Sequence, residues 1–110
     1  MSERALKISD LLFFDNLALY YVANETPPRV LARVFASSDP RLGGSLLGVL
    51  DPERRKILHA LMAQESDGDA GKNSSAADAL LIIAGGLLDR GHIERKGRFF
   101  YGLKAEGQEA

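Results

Sequence analysis

A polar stretch in the second half of the chain, SDGDAGKNSS, contains the residues whose spacing comes nearest to known metal and phosphate sites. Asp67 and Asp69 have the spacing that opens a calcium-binding loop, but Lys72 stands where that loop requires a sharp-turn glycine. Gly71 and Lys72 match the end of a phosphate-binding loop, but Asn73 occupies the position that needs a serine or threonine. The stretch is therefore interpreted as a solvated loop without metal or nucleotide chemistry.

Catalytic chemistry has no other support in the sequence. The chain contains no cysteine, which excludes disulfides, thiolate metal sites and cysteine nucleophiles. His59 and His92 lie far apart, and neither has a carboxylate at metal-ligand spacing. No combination of serine, histidine and acid has a spacing that indicates a catalytic triad. The sequence thus predicts a binding protein that is not an enzyme and needs no cofactor or metal.

Three predicted helix starts share one local pattern, in which a capping side chain precedes a proline. They are Thr26-Pro27-Pro28, Asp39-Pro40 and Asp51-Pro52. The Thr or Asp side chain can accept hydrogen bonds from the free N–H groups of a first turn, and proline fits there because it lacks an N–H. An apolar stripe with helical spacing follows each start. The stripes are Val30, Leu31, Val34 and Phe35; Leu42, Leu46, Leu47 and Leu50; and Ile57, Leu58, Leu61 and Met62.

Similar capping residues place the remaining helices. Ser9 or Asp10 is expected to cap a first short helix, and Asp15 a second. Ser75 is expected to cap the last helix, which should end at Gly91 because glycine readily adopts the left-handed conformation of a helix stop. Short helices with almost no loop between them are typical of an α-solenoid.

The predicted fold is all-α: an armadillo-like stack of about six short helices with a small C-terminal β-hairpin at residues 93–103. The domain is expected to cover residues 9–103, with tails at 1–8 and 104–110. The longest apolar run, residues 79–88, is far shorter than the roughly 20 residues that span a bilayer, and the charged start of the chain does not resemble a signal peptide. A cytoplasmic protein without direct membrane insertion is therefore expected.

The basic residues of the predicted hairpin suggest a different function. Arg95, Lys96 and Arg98 would lie at or beside the hairpin tip, as in the wing of a winged-helix DNA-binding regulator, where such cations contact phosphates. The structural alternative is a hairpin that covers one end of the helical stack. The net charge of the 110-residue chain is -1 and its helices carry no basic recognition face, so nucleic acid is not the favoured partner.

A second set of basic residues lies at the predicted helix starts after Pro28 and Pro52. Cations at a helix start oppose the macrodipole, so fold stability does not favour them there. Contact with an acidic protein partner would explain the arrangement, and a merely solvated surface is the alternative. The candidate partner-binding residues are Arg29, Arg33, Arg54, Arg55 and Lys56.

From about residue 9 to residue 97, the chain resembles the C-terminal helical subdomain of FliG, the rotor protein of the bacterial flagellar switch complex. The similar segments follow the family order without insertions or deletions. They are SDLLFFDN at 9–16, VANE at 22–25, the helix at 30–38, LLGVLDPERR at 46–55 and LLDRGHI at 87–93.

The resemblance implies a non-enzymatic protein-interaction module. In FliG, charged residues on the outer helices of this subdomain meet the stator and produce torque, which links the family to motility and chemotaxis. Here the family's lysine on the third helix falls on Ala36 and its basic residue at the start of the fifth falls on Glu53. Its acidic pair falls on Ala60 and Leu61.

Because these charges and the family's other domains are missing from the 110-residue sequence, the expectation is a diverged, stand-alone FliG-like protein or paralogue. Its expected partners are flagellar motor components at the cytoplasmic face of the basal body. A winged-helix DNA-binding transcriptional regulator and a helical adaptor of unrelated role are the alternatives.

Overall fold

The computed structural model describes residues 6–104, so the predicted tails lie mostly outside it, at residues 1–5 and 105–110. A 3-10 helix, Ile8–Phe13, is followed by five α-helices and a β-hairpin, and this confirms the predicted all-α fold with a C-terminal hairpin. The α-helices are α1, Asn16–Glu25; α2, Pro28–Ala36; α3, Pro40–Val49; α4, Pro52–Gln64; and α5, Ala70–Asp89. The antiparallel strands are β1, Ile93–Lys96, and β2, Phe99–Gly102.

Pro28, Pro40 and Pro52 begin α2, α3 and α4, as the sequence predicted. The Asp39 and Asp51 carboxylates cap α3 and α4 by accepting backbone N–H hydrogen bonds at 2.9 and 2.8 Å. Proline fits the first helical position because its missing N–H would have no partner within the helix.

Thr26 does not cap α2, and this part of the prediction was wrong. Pro27 occupies the N-cap position, and the Thr26 hydroxyl donates instead to the Val22 carbonyl at 2.7 Å. Thr26 is buried, so its hydroxyl needs an acceptor, and the Val22 carbonyl accepts both this hydroxyl and the Thr26 backbone N–H. The residue therefore closes α1 rather than opening α2.

Helix α5 begins at Ala70, earlier than the predicted start after Ser75. Asp69 provides the cap, because its carboxylate accepts the N–H of Lys72 at 3.0 Å. Ser75 consequently lies inside the helix. The predicted stop is confirmed, since Gly91 follows the helix with a φ of 81°, a left-handed conformation that favours glycine.

Two carboxylates, those of Asp10 and Asp15, accept backbone hydrogen bonds around the 3-10 helix and the start of α1. Asp15 caps α1 as predicted and also accepts the N–H of Gly102 at 3.0 Å, which fastens the hairpin to this helix. Neither Ser9 nor Asp10 caps the 3-10 helix, contrary to the prediction. Asp10 lies within it and its carboxylate accepts the N–H of Lys7 at 2.9 Å.

The hairpin packs on the start of α1. Phe100 is fully buried and stacks on Phe14 with ring centroids 4.6 Å apart. A β-carbon at Gly102 would lie 2.6 Å from the backbone nitrogen of Ala18, so only glycine permits this close approach. The hairpin therefore covers one end of the helical stack.

Helix α2 forms the centre of the molecule and α4 lies at its periphery. Residues 31–35 of α2 are all buried, whereas Leu58 is the fully buried residue of α4. Ile57 was predicted to be buried but is 55% exposed, and Leu61 is partly buried. Neighbouring helical residues point about 100° apart, so the turn that directs Leu58 inward directs Ile57 outward. Most of the α4 surface is thus available to solvent.

Candidate protein-interaction site

The five predicted partner-binding residues lie on two helices in two different environments. Arg29 and Arg33 belong to α2, while Arg54, Arg55 and Lys56 occupy the beginning of α4. The two α2 side chains contact carboxylates, and the three on α4 do not. We refer to Arg54, Arg55 and Lys56 as the α4 basic turn.

Arg33 is a buried structural residue, which corrects its assignment to a partner-binding surface. Its side chain is 8% exposed and forms ion pairs with Glu65 at 2.8 Å and Asp67 at 2.9 Å. The second Asp67 oxygen accepts a further hydrogen bond at 3.0 Å, and the Asn73 amide oxygen accepts one at 2.9 Å. These residues, which we call the Arg33 cluster, satisfy the guanidinium within the chain.

The Arg33 cluster fastens the loop between α4 and α5 to the centre of the fold. Hydrogen bonds from Arg33, together with the backbone N–H of Asp69, hold the pKa of Asp67 well below its usual range. The hydrogen bond with Asp67 in turn raises the pKa of Arg33 above its ordinary value. The partners lie at least 32 residues from Arg33 along the chain, so sequence spacing carries no signal for the cluster.

Arg29 is exposed but already has an intramolecular counter-charge. Its side chain is 68% exposed and pairs with the second oxygen of Glu65 at 3.1 Å. Glu65 therefore bridges both arginines of α2. An exposed pair of this kind contributes little to stability, and its arginine stays accessible at the surface.

The three side chains of the α4 basic turn form no ion pair in the described part of the chain, although Asp51 and Glu53 lie in the same turn. The Arg54 guanidinium donates to the side-chain oxygen of Asn24 at 2.8 Å, and the Arg55 guanidinium donates to the Leu50 carbonyl at 3.0 Å. Both acceptors are neutral, and Lys56 is exposed. Within residues 6–104, none of the three forms an ion pair with a carboxylate.

An apolar slot of about 140 Å³ opens beside Arg54, between the end of α1, the start of α2 and α4. Its interior is formed by buried carbons, while Ile57 lies beside it, 55% exposed. The sequence gives no sign of this slot, because its pattern puts Ile57 in the apolar stripe of α4 and Thr26 at the cap of α2. In the structure, the exposed side chain of Ile57 beside the slot identifies this site. The slot is lined by Ala23, Thr26, Pro28, Leu31, Leu50, Arg54, Ile57 and Leu58.

The cations of the hairpin lie partly on aromatic rings. The guanidinium of Arg98 lies 4.9 Å from the centre of the Phe13 ring, and that of Arg95 lies 5.1 Å from the centre of the Phe100 ring. Such cation–π contacts hold both arginines against the body of the protein. Lys96 is exposed at the end of β1.

The motifs that resembled metal and phosphate sites have structural roles. Asp67 belongs to the Arg33 cluster and Asp69 caps α5, with Gly71 and Lys72 in the first turn of that helix. No group of three or more histidine and acidic side chains within residues 6–104 is arranged to hold a metal ion.

Comparison with protein families, with curated proteins and with solved structures finds no match for this chain. No helix in the described range, residues 6–104, combines the length and the apolar character that crossing a membrane requires. The geometry of the α4 basic turn and the apolar slot is therefore the basis for a functional proposal.

Proposed function

We propose that this protein is a non-enzymatic protein-interaction module, a diverged relative of the FliG C-terminal subdomain that associates with flagellar motor components. The observation that carries the proposal is that the three cations of the α4 basic turn form no ion pair with a carboxylate within residues 6–104. Cations at the start of a helix oppose its macrodipole, so they do not favour the fold. Binding an acidic protein partner gives them a role.

The partner-binding surface in this proposal consists of the exposed cations without Arg33. The α4 basic turn forms its main part, and Arg29 extends it along α2 through a side chain that is 68% exposed. Charges at the rim of an interface mainly accelerate association and select partners of opposite charge. The surface therefore favours a partner rich in Asp and Glu.

Three of the four departures from the FliG charge pattern lie on α4, and the fourth, Ala36, ends α2. Glu53 and Ala60 are exposed on α4, while Leu61 is partly buried and supports the packing of the helix. Ala60 and Leu61 occupy the positions of the acidic pair that contributes to torque in FliG, so this chain has no carboxylate there. The proposed role is therefore association with the motor rather than the usual generation of torque.

Affinity capture with three matched baits tests the proposal. The baits are the natural chain, the double variant Arg54→Glu/Arg55→Glu, and the control Lys72→Glu/Lys104→Glu, which makes the same charge change at exposed positions elsewhere. We expect flagellar motor components of the source cell to bind the natural chain and the control but not the Arg54/Arg55 variant. Partners that bind all three baits equally refute the proposed surface, and a discriminating partner unrelated to the motor refutes motor association.

A winged-helix DNA-binding function is the second candidate, favoured by the hairpin that follows α5 and exposes Lys96 and Arg98. Phosphate contacts release condensed counterions, so affinity for DNA would fall steeply as salt rises. We expect a mobility-shift assay at low salt to show at most weak, sequence-independent binding. Tight binding that the combined Lys96→Ala and Arg98→Ala changes abolish would establish DNA binding instead.

A further inference from the structure

We propose that the apolar slot receives one large apolar side chain, of the size of leucine or phenylalanine, from an acidic segment of the partner protein. This inference rests on the proposed protein-interaction function and adds the place and the chemistry by which the partner is held. The juxtaposition that carries it is an apolar recess, an exposed aliphatic residue and unpaired cations at one edge of α4.

The size and walls of the slot select an apolar occupant. Its volume of about 140 Å³ is close to that of a cavity of roughly 150 Å³ that stays dry and binds benzene. Ala23, Leu31 and Leu58 line it and are nearly fully buried, so its interior is hydrocarbon. The Thr26 hydroxyl in the wall already donates to the Val22 carbonyl and requires no partner. A polar occupant would find little to replace its lost hydration.

The charges around the slot select the residues that flank the apolar side chain. Residues 53–56 contain three cations and one carboxylate, which leaves an excess of positive charge in this turn. Arg54 lines the slot itself, and within residues 6–104 its guanidinium contacts only neutral acceptors, while its backbone N–H donates to the Asp51 carboxylate that caps α4. An Asp or Glu next to the inserted side chain would therefore meet a guanidinium that has no carboxylate partner. A buried anchor with an arginine at its edge is typical of the residues that dominate interface energies.

Other surface recesses lack this combination. A wider depression of about 420 Å³ between α2 and α5 has Arg29, Arg33 and Lys72 in its wall, but its lining also contains the Glu65 carboxylate, which pairs with both arginines. A depression beside Ile82, which is 75% exposed, contains Asp78 and no cation in its lining. Of these three recesses, the slot beside α4 is the one whose lining contains a cation and no carboxylate.

Selection from a displayed random-peptide library on the full chain tests the inference. Enriched peptides should contain Leu, Ile, Met or Phe flanked by Asp or Glu. Fluorescence polarisation with synthetic copies of these peptides should show that Ile57→Ser weakens binding at least about tenfold. Ile82→Ser is the matched control, since it makes the same change at an exposed isoleucine of α5. Arg54→Gln should also weaken binding, with a loss that shrinks as salt rises.

Each outcome separates the slot from the broader proposal. Peptides that bind the Ile57→Ser variant as well as the natural chain overturn the slot, and so does a library that yields no binder. If such peptides still depend on Arg54 and Arg55, the protein-interaction surface survives without the slot. Both the slot and the protein-interaction surface are refuted if the peptides bind the Ile57→Ser variant equally well and the capture experiment also recovers no partner that binds the natural chain but not the Arg54→Glu/Arg55→Glu variant.

Discussion

The Arg33 cluster and the α4 basic turn place the same kind of side chain in opposite circumstances. The Arg33 side chain is 8% exposed, forms ion pairs with two carboxylates and donates a hydrogen bond to an amide oxygen. Its charge is therefore balanced within the molecule. Arg54 and Arg55 lie at the surface of a peripheral helix and donate to neutral oxygens. The sequence predicted both sets at helix starts, but Arg33 lies in the last turn of α2, where a cation does not oppose the helix macrodipole. What separates them is the location of the nearest carboxylates, which only the folded chain determines.

This difference distinguishes residues that hold the fold from residues that are available to a partner. Removing a buried cation leaves its carboxylates without a partner, whereas removing an exposed one exposes neutral acceptors to water. The Arg33 cluster should therefore respond in measurements of stability. The α4 basic turn should respond in measurements of binding.

The largest expected effect concerns the packing that places α4 beside the slot. Leu58→Ala should lower the free energy of unfolding by about 2–5 kcal/mol, because Leu58 is the fully buried residue of this helix. The adjacent change Ile57→Ala is the control and should cost no more than about 0.5 kcal/mol at its exposed position. Urea unfolding curves measure both. Equal losses for the two variants would show that α4 does not pack as described.

Breaking the Arg33 cluster should have the next largest effect. Arg33→Gln removes the charge between Glu65 and Asp67 and should lower the urea midpoint clearly, because two carboxylates and an amide lose their partner. Arg54→Gln is the matched change in the α4 basic turn and should leave the midpoint nearly unaltered. A larger loss for Arg54→Gln than for Arg33→Gln would reverse the comparison.

Acid should weaken the Arg33 cluster selectively. The pKa of Asp67 is lowered in the folded chain, so its contribution to stability is present above the unfolded value of about 3.9 and is lost as pH falls below it. Asp39, whose pKa is lowered to about 2 by the Arg41 side chain, adds to the same loss. Unfolding midpoints measured between neutral pH and pH 3 should fall less in Asp67→Asn than in the natural chain. An unchanged slope would contradict the role of the carboxylate.

The smallest expected effect on stability belongs to the α4 basic turn. Arg54→Glu/Arg55→Glu should change the free energy of unfolding by no more than about 0.5 kcal/mol, because both side chains lie near the surface and less cationic charge opposes the helix dipole. Thermal unfolding measures this directly. A large loss would show that these residues belong to the structure rather than to a binding surface.

Local signals were sufficient to predict much of the fold. The Pro-punctuated starts, the Asp15 cap, the stop at Gly91 and the hairpin all depend on residues within a few positions of one another. The errors share a different cause. Asp69, rather than the predicted Ser75, caps α5. The Thr26 hydroxyl donates to the Val22 carbonyl of the preceding helix instead of capping α2. In both cases a second hydrogen-bonding group lies close to the predicted one.

The candidate site was only partly predictable for the same reason. The sequence identifies Arg54, Arg55 and Lys56 as clustered cations, since they are consecutive. The sequence does not show that Glu65 and Asp67 form ion pairs with Arg33. Nor does it show that an apolar slot forms between three helices next to Ile57. Those features depend on contacts between residues that are far apart in the chain.

The association rate of the chain with the partner recovered by differential capture tests the central claim most directly. Surface plasmon resonance at several salt concentrations would compare the natural chain, Arg54→Glu/Arg55→Glu and the control Lys72→Glu/Lys104→Glu. Rim charges act mainly on the association rate, so the Arg54/Arg55 variant should associate at least about tenfold more slowly at low salt, and the difference should shrink as salt rises. The control should associate like the natural chain. Equal association rates for all three proteins would contradict the claim that the α4 basic turn meets an acidic partner.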